Sequence, residues 1–99
     1  MSLELESLGG IMIKKSIEIK LPNGLEARPV AELVQIASKY DSVIHIEAQT
    51  KKVNAKSIMG MMTLKLHSGE SIEVVADGTD EENAVSEIEN YLQGVKTLA

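Results

Sequence analysis

The stretch Asn23-Gly24-Leu25-Glu26-Ala27-Arg28-Pro29 brings together the parts of a small anion site. Asn-Gly predicts a turn, and Pro29 suits the first turn of a helix, where its missing N–H would have had no partner. The first amides of such a helix attract negative charge, and Arg28 adds a fixed cation beside them. These are the parts of a phosphate site. Yet the residue best placed to carry a phosphoryl group is Glu26, already a carboxylate. Carriage through imidazole needs a nucleophilic ring nitrogen that forms a labile N–P bond. A glutamate could form only an acyl phosphate, and positive surroundings make it a poorer nucleophile. Glu26 is therefore expected to cap the helix and pair with Arg28, with loss of carriage as the consequence. The functional alternative is that its charge imitates a phosphorylated side chain.

Ser57 is the second candidate. It opens a short helical segment, Ser57-Ile58-Met59-Gly60-Met61-Met62, and serine is a favoured N-cap. Capping alone is the usual role of such a serine. Here Lys56 precedes it, and Ile58, Met59 and Met62 place apolar side chains beside it. A phosphate on Ser57 would add about −1.5 to −2 charge and three strong acceptors to that greasy surface. Met61 and Leu64 are expected to be buried, because a short helix must turn one side inward.

Both candidates depend on the elements that hold them. Ser16–Leu21 alternates, with Ile17, Ile19 and Leu21 on one face, and predicts a half-buried strand. Pro22-Asn23-Gly24 turns the chain. From Ala27 to Tyr40 the apolar residues Val30, Leu33, Val34, Ala37 and Tyr40 form a helical stripe. Val43–Ala48 predicts a second strand, Lys51-Lys52 a turn, and Val53–Ala55 a third strand. Ser71–Ala76 predicts a fourth. Thr79 and Glu82 have the spacing of a capping box, opening a last helix with a stripe of Ala84, Ile88, Tyr91, Leu92 and Val95. Gly94 is placed to end it. The order is βαββαβα. The expected fold is α+β: an open-faced sandwich whose four-stranded antiparallel sheet is covered on one face by three helices.

Composition bounds what this domain does. The chain has 99 residues, 43% of them apolar, and no cysteine, Trp or Phe, so an aliphatic core must do without disulfides or thiolate metal sites. The net charge is −5, a poor basis for direct nucleic-acid binding. The Lys51, Lys52 and Lys56 cluster is expected to be a solvated turn. No apolar run approaches the roughly 20 residues needed to span a bilayer. His45 alternates with Ile44 and Ile46, which places it on the solvent face of its strand; His67 falls in a loop or strand end. Both are far in sequence from Arg28. No metal and no cofactor is expected. Residues 1–11 differ in character and break at Gly9-Gly10, so they are expected to be a leader or expression-derived extension before a domain at 12–99.

Asn23-Gly24-Leu25-x-Ala27-Arg28-Pro29 resembles the active-site loop of HPr, the histidine-containing phosphocarrier of the bacterial sugar phosphotransferase system. Asn54-Ala55-Lys56-Ser57-Ile58-Met59-Gly60 resembles the regulatory serine segment of the same family. The two occur in the family's order, and the resemblance runs from about residue 12 to 92. It departs at Glu26, which stands where the family has its phosphocarrier histidine. The subgroup that lacks this histidine and keeps the serine is Crh, the catabolite-repression HPr-like protein, which has glutamine there.

The resemblance implies a cytoplasmic regulatory protein rather than an enzyme. Its Ser57 would be phosphorylated by the ATP-dependent HPr kinase/phosphorylase. The phosphorylated form would then bind a LacI-type catabolite control repressor through Arg28, Ala31, Lys56, Ile58, Met59 and Met62. A homodimer is compatible, as Crh-like chains dimerise. Two rival readings are a phosphotransferase component that uses Glu26 and an interaction module that is never phosphorylated.

Overall fold

The computed structural model describes residues 12–94. The expected extension at 1–11 lies outside them, as does Val95. The elements are β1 (Ile13–Glu18), α1 (Ala27–Ser38), β2 (Val43–Ala48), β3 (Lys51–Asn54), α2 (Ile58–Met62), β4 (Ser71–Asp77) and α3 (Glu81–Leu92). The strands lie in the order β1-β4-β2-β3, and every neighbouring pair is antiparallel. This is the βαββαβα open-faced sandwich that the hydrophobic pattern predicts.

Strand alternation sets the two faces of the sheet. Ile44 and Ile46 of β2 and Val74 and Ala76 of β4 are fully buried. They meet Val30, Leu33 and Ala37 of α1 and Ala84, Ile88 and Leu92 of α3 in one aliphatic core. The other face is polar. Glu47 and Glu73 stand opposite each other in the β2–β4 register. Lys14 of β1 lies 3.5 Å from the first and 3.3 Å from the second, which offsets their repulsion.

Four local expectations are corrected. β1 starts and ends three residues earlier than Ser16–Leu21, because its ladder with β4 stops at Glu18 opposite Ser71. Lys14 and Lys15 hid its start, although lysine is common on the edge strand that β1 forms. Beyond Ile19 the chain leaves the sheet, and Lys20 N–H donates to Leu92 O at 2.8 Å.

Lys51 and Lys52 are strand residues, not a turn. They pair with Ala48 and Glu47, and the turn falls at Gln49-Thr50, where Gln49 has φ +56°. Helix α1 stops at Ser38 rather than Tyr40. Lys39 and Tyr40 N–H close tight bonds to Ile36 O and Ala37 O, and the Tyr40 hydroxyl turns away to donate to Glu87 of α3.

The Thr79–Glu82 capping box is not formed. Asp80 takes the N-cap position, and its side chain does not cap α3. Its carboxylate accepts instead from the Asp41 and Ser42 amides, at 2.8 and 3.0 Å, and from the Ser42 hydroxyl. Glu81, only 4% exposed, accepts from Gly78 N–H and Met12 N–H, each at 3.0 Å. The start of α3 thus fastens both the α1–β2 turn and the entry to β1.

These contacts give the fold an acid limb. The Ser42 hydroxyl, then the Asp41 amide, hold the Asp80 carboxyl below its ordinary 3.8. Lys39, then Tyr40, lower Glu87 below 4.5. A carboxyl lowered by folding stabilises the fold above its unfolded value, and that contribution is lost as pH falls through the folded value. The melting temperature is therefore expected to be level near neutrality and to drop below about pH 4, through the lowered values. Asp80→Asn should flatten that acid slope in thermal melts. An unchanged slope would remove Asp80 from the account.

Candidate functional site

The first half of the site is a turn laid on the segment before β4. Gly24 N–H donates to Leu21 O at 3.0 Å, and Leu25 N–H donates to Leu66 O at 3.0 Å. Gly24 has φ +71°, and a Cβ there would stand 2.4 Å from Leu66 O and 2.9 Å from His67 Cα. Glycine is needed twice over, for its backbone angle and for the close approach. Gly24→Ala is expected to cost about 2–4 kcal/mol, adding left-handed strain to overpacking. Chemical denaturation measures this directly, and a cost under about 0.5 kcal/mol, the range of an ordinary surface substitution, would show the turn to be pliable.

Glu26 occupies the N-cap position of α1 in an extended conformation (φ −95°, ψ −170°), but its side chain makes no capping bond. It forms no ion pair among those of the described residues. Arg28 is 89% exposed, and its Nε lies 3.5 Å from Glu32 Oε2, one helical turn along. The expected cap-and-pair role of Glu26 is thus corrected on both counts. The i,i+4 neighbour on the helix face takes the guanidinium, and Glu32 is itself fixed by the Tyr91 hydroxyl of α3, which donates to Oε1 at 2.6 Å. Burial, then this bond to Glu32, pushes the Tyr91 hydroxyl's pKa up. The Glu26 side chain is left exposed at an open pocket of 240 Å³.

That pocket joins segments that are far apart in the sequence. Its lining includes Asn23, Glu26, Met62, Lys65 and His67. His67 therefore lines the same pocket as Glu26, although it lies far along the chain. The Leu25–Leu66 bond brings the two segments together, and nothing in linear spacing announces that pairing. His45 conforms better to expectation: it is half-buried in β2, between Val75 and Asn54 on neighbouring strands.

The second half of the site is α2. Ser57 is its N-cap, half-buried, and its Oγ accepts from Gly60 N–H at 3.1 Å. Met61 and Leu64 are buried, as the pattern requires. Ile58, Met59 and Met62 are 52%, 81% and 46% exposed, a run of large apolar side chains left in water. Met62 also lines the Glu26 pocket, so α2 and the start of α1 form one continuous surface. Ala31 is half-buried on α1.

The lysines are more committed than a solvated turn would make them. Lys56 Nζ donates to Tyr40 O at 2.6 Å, just past the end of α1, and Lys51 Nζ donates to Thr63 O at 2.9 Å, at the end of α2. Each offers positive charge where a helix leaves carbonyls unpaired. Among the described residues no group of three His, Cys, Asp or Glu side chains is placed to hold a metal ion. Nor is any helix among them long and apolar enough to cross a membrane.

The open-faced sandwich thus sets an Arg-Pro helix start beside a serine-capped, methionine-rich helix. Residues 13–94 match the family model described as "PTS HPr component phosphorylation site", and the chain belongs to the HPr family of the phosphotransferase system. It is 45% identical over 82 residues to the HPr-like protein Crh of Halalkalibacterium halodurans, covering 83% of this chain and 98% of that protein. The crystal structure of the phosphocarrier protein HPr from Bacillus anthracis superposes with a TM-score of 0.81 at 42% identity, covering 85% of this chain and all of that one. The crystal structure of Crh from Bacillus subtilis, described as a dimer with a swapping domain, has a TM-score of 0.70 at 38% identity and covers 87% and 99% of the two chains.

Proposed function

We propose that this chain is a regulatory member of the family, of the Crh type, in which Ser57 receives a phosphoryl group and Glu26 does not carry one. One observation supports this most: Ser57, half-buried, caps α2 at the edge of a patch formed by the exposed Ile58, Met59 and Met62. A phosphate at that edge converts an apolar surface into an apolar surface with a dianion beside it. Methionines suit such a surface because their unbranched side chains repack around different partners.

In this reading the phosphoryl donor is ATP, through HPr kinase/phosphorylase. The reader is a LacI-type catabolite control repressor, and the chain acts in the cytoplasm as substrate and corepressor rather than as an enzyme. Arg28, exposed at the other end of the surface, takes part in docking with Ala31. Lys56 contributes mainly by holding the end of α1, since its ammonium is already engaged by Tyr40 O. The dimer described for the Bacillus subtilis relative makes a homodimer a reasonable state for this chain as well.

The test is binding of the purified repressor to the unmodified and the Ser57-phosphorylated chain. Tighter binding of the phosphorylated form by tenfold or more is expected. Equal binding would favour an interaction module that has no need of phosphorylation.

A further inference from the structure

We propose that residues 1–11 fold back onto the patch of Ile58, Met59 and Met62 and cover it until Ser57 is phosphorylated. The cover stands on geometry and charge. Only its release rests on the Ser57 reading above.

The place where the chain enters the fold carries the argument. Ile13 pairs with Ala76, Ala76 pairs with Ile44, and Ala55 N–H donates to Ile44 O at 2.9 Å. The start of β1 and the turn before α2 therefore lie at the same end of the sheet, three strand spacings or about 14 Å apart. A second set of bonds links the same two points. Glu81 accepts from Met12 N–H and Gly78 N–H, Asp80 beside it accepts from Ser42 N–H, and Lys56 Nζ donates to Tyr40 O. Met12 has φ +61°, so the backbone bends where β1 begins instead of continuing along the strand.

The segment has the length and the residues for this site. Leu8 stands four residues before Met12, a reach of about 14 Å in extended chain, and Leu5 and Leu3 lie farther out. The leucines thus fall at or beyond the distance at which α2 begins. What they would meet there is apolar: Ile58, Met59 and Met62 are 52%, 81% and 46% exposed. Charge favours the same pairing. The segment has Glu4 and Glu6 and no basic side chain, whereas residues 51–69 carry Lys51, Lys52, Lys56 and Lys65 and no Asp or Glu. Of these lysines, among the described residues, only Lys52 is in an ion pair, 4.0 Å from Glu47. Leu3 and Leu5 alternate with Glu4 and Glu6, so an extended segment turns leucines to the methionines and glutamates to the lysines. Phosphate on Ser57 would add about −1.5 to −2 charge beside those glutamates and repel the cover. The same event would then expose the patch and mark it.

The test uses the full chain, which has no cysteine of its own, with one nitroxide spin label on Ser2→Cys. Methyl NMR reads broadening of Ile58, Met59 and Met62 against the same sample with the nitroxide reduced. The expected result is loss of most of the intensity of these methyls. Intensity should return when Leu3→Ser, Leu5→Ser and Leu8→Ser are combined in the labelled chain, which keeps the length and removes the apolar contacts. Thermal melts check that this variant is folded. A patch that is not broadened, or is broadened equally in the leucine variant, would overturn the proposal. Broadening of an isotope-labelled, spin-free chain mixed with the spin-labelled one would give the patch to a second copy and overturn it as well. Treatment with HPr kinase/phosphorylase and ATP, with Ser57 phosphorylation confirmed by mass, should also restore the intensity. Persistent broadening of the phosphorylated chain would overturn the release. Absence of phosphorylation would count against the Ser57 reading and leave the result on the unmodified chain standing.

Discussion

Replacing Glu26 with histidine should give the chain a phosphorylatable residue at position 26, accepting from phosphoenolpyruvate through enzyme I where the glutamate accepts nothing. The surroundings that such a histidine needs are intact. The turn is held by the Leu21–Gly24 and Leu25–Leu66 bonds, and α1 still begins at Ala27 with its first amides uncapped by a side chain. Arg28 is the one participant that is otherwise engaged, by Glu32 at 3.5 Å. That pair is exposed, and exposed ion pairs are worth about 0–1 kcal/mol. A dianionic phosphoryl group at the helix start offers Arg28 a stronger charge, so Glu32 should slow the revertant by no more than several-fold. Tandem mass spectrometry assigns the label to position 26. A folded Glu26→His chain with no label at position 26 would mean that the enzyme I docking surface has diverged along with the acceptor.

Changing Ser57 should have the other large effect. Ser57→Ala and Ser57→Asn are both expected to abolish phosphorylation by HPr kinase/phosphorylase, and with it the phosphorylation-dependent gain in repressor binding. The two variants separate chemistry from stability. Alanine removes the oxygen that accepts from Gly60 N–H at 3.1 Å, a cap worth about 0.5–2 kcal/mol. Asparagine keeps a capping acceptor and lacks the hydroxyl. If both lose repressor binding equally while only alanine lowers the melting temperature, the loss comes from the missing phosphate. A phosphoserine can form one to three charge-assisted hydrogen bonds with a basic partner. Such bonds contribute about 1.5–3 kcal/mol each, so the loss of even one exceeds the tenfold change that 1.4 kcal/mol represents. Unimpaired repressor binding by Ser57→Asn would assign recognition to the apolar patch alone.

The large-scale fold was readable because its signals are periodic. Ile44, Ile46, Val74 and Ala76 alternate along strands, Val30, Leu33 and Ala37 recur at helical spacing, and all are buried where those periods place them. Gly24 and Ser57 were readable because their residue types answer a local backbone demand. Met61 in the core and Met59 in water follow from helical phase on a helix too short to bury both sides.

What escaped is long-range and polar. Asp80 has the composition of a helix cap, yet its partners are Asp41 and Ser42, which only the folded chain brings near. One signal pointed that way: Gly78 packs so closely that a Cβ would stand 2.5 Å from Ser42 Oγ, but a glycine in a sequence does not name what it touches. Arg28 chose Glu32 over Glu26, a choice that the i,i+4 spacing makes available and the Tyr91 bond from α3 reinforces. His67 reached the Glu26 pocket through a single backbone pairing, Leu25 to Leu66, with no periodic trace. Apolar periodicity reports which face is covered. It does not report which polar group meets which across the chain.

The central claim is that phosphorylation in this protein belongs to Ser57 and regulates, while position 26 no longer carries. The most direct measurement incubates the purified chain with HPr kinase/phosphorylase and ATP and reads intact and tandem mass spectra. The account predicts the gain of one phosphoryl group, stable to acid and located on Ser57. No gain under conditions that phosphorylate a family control, or a gain located on any other residue, would contradict it.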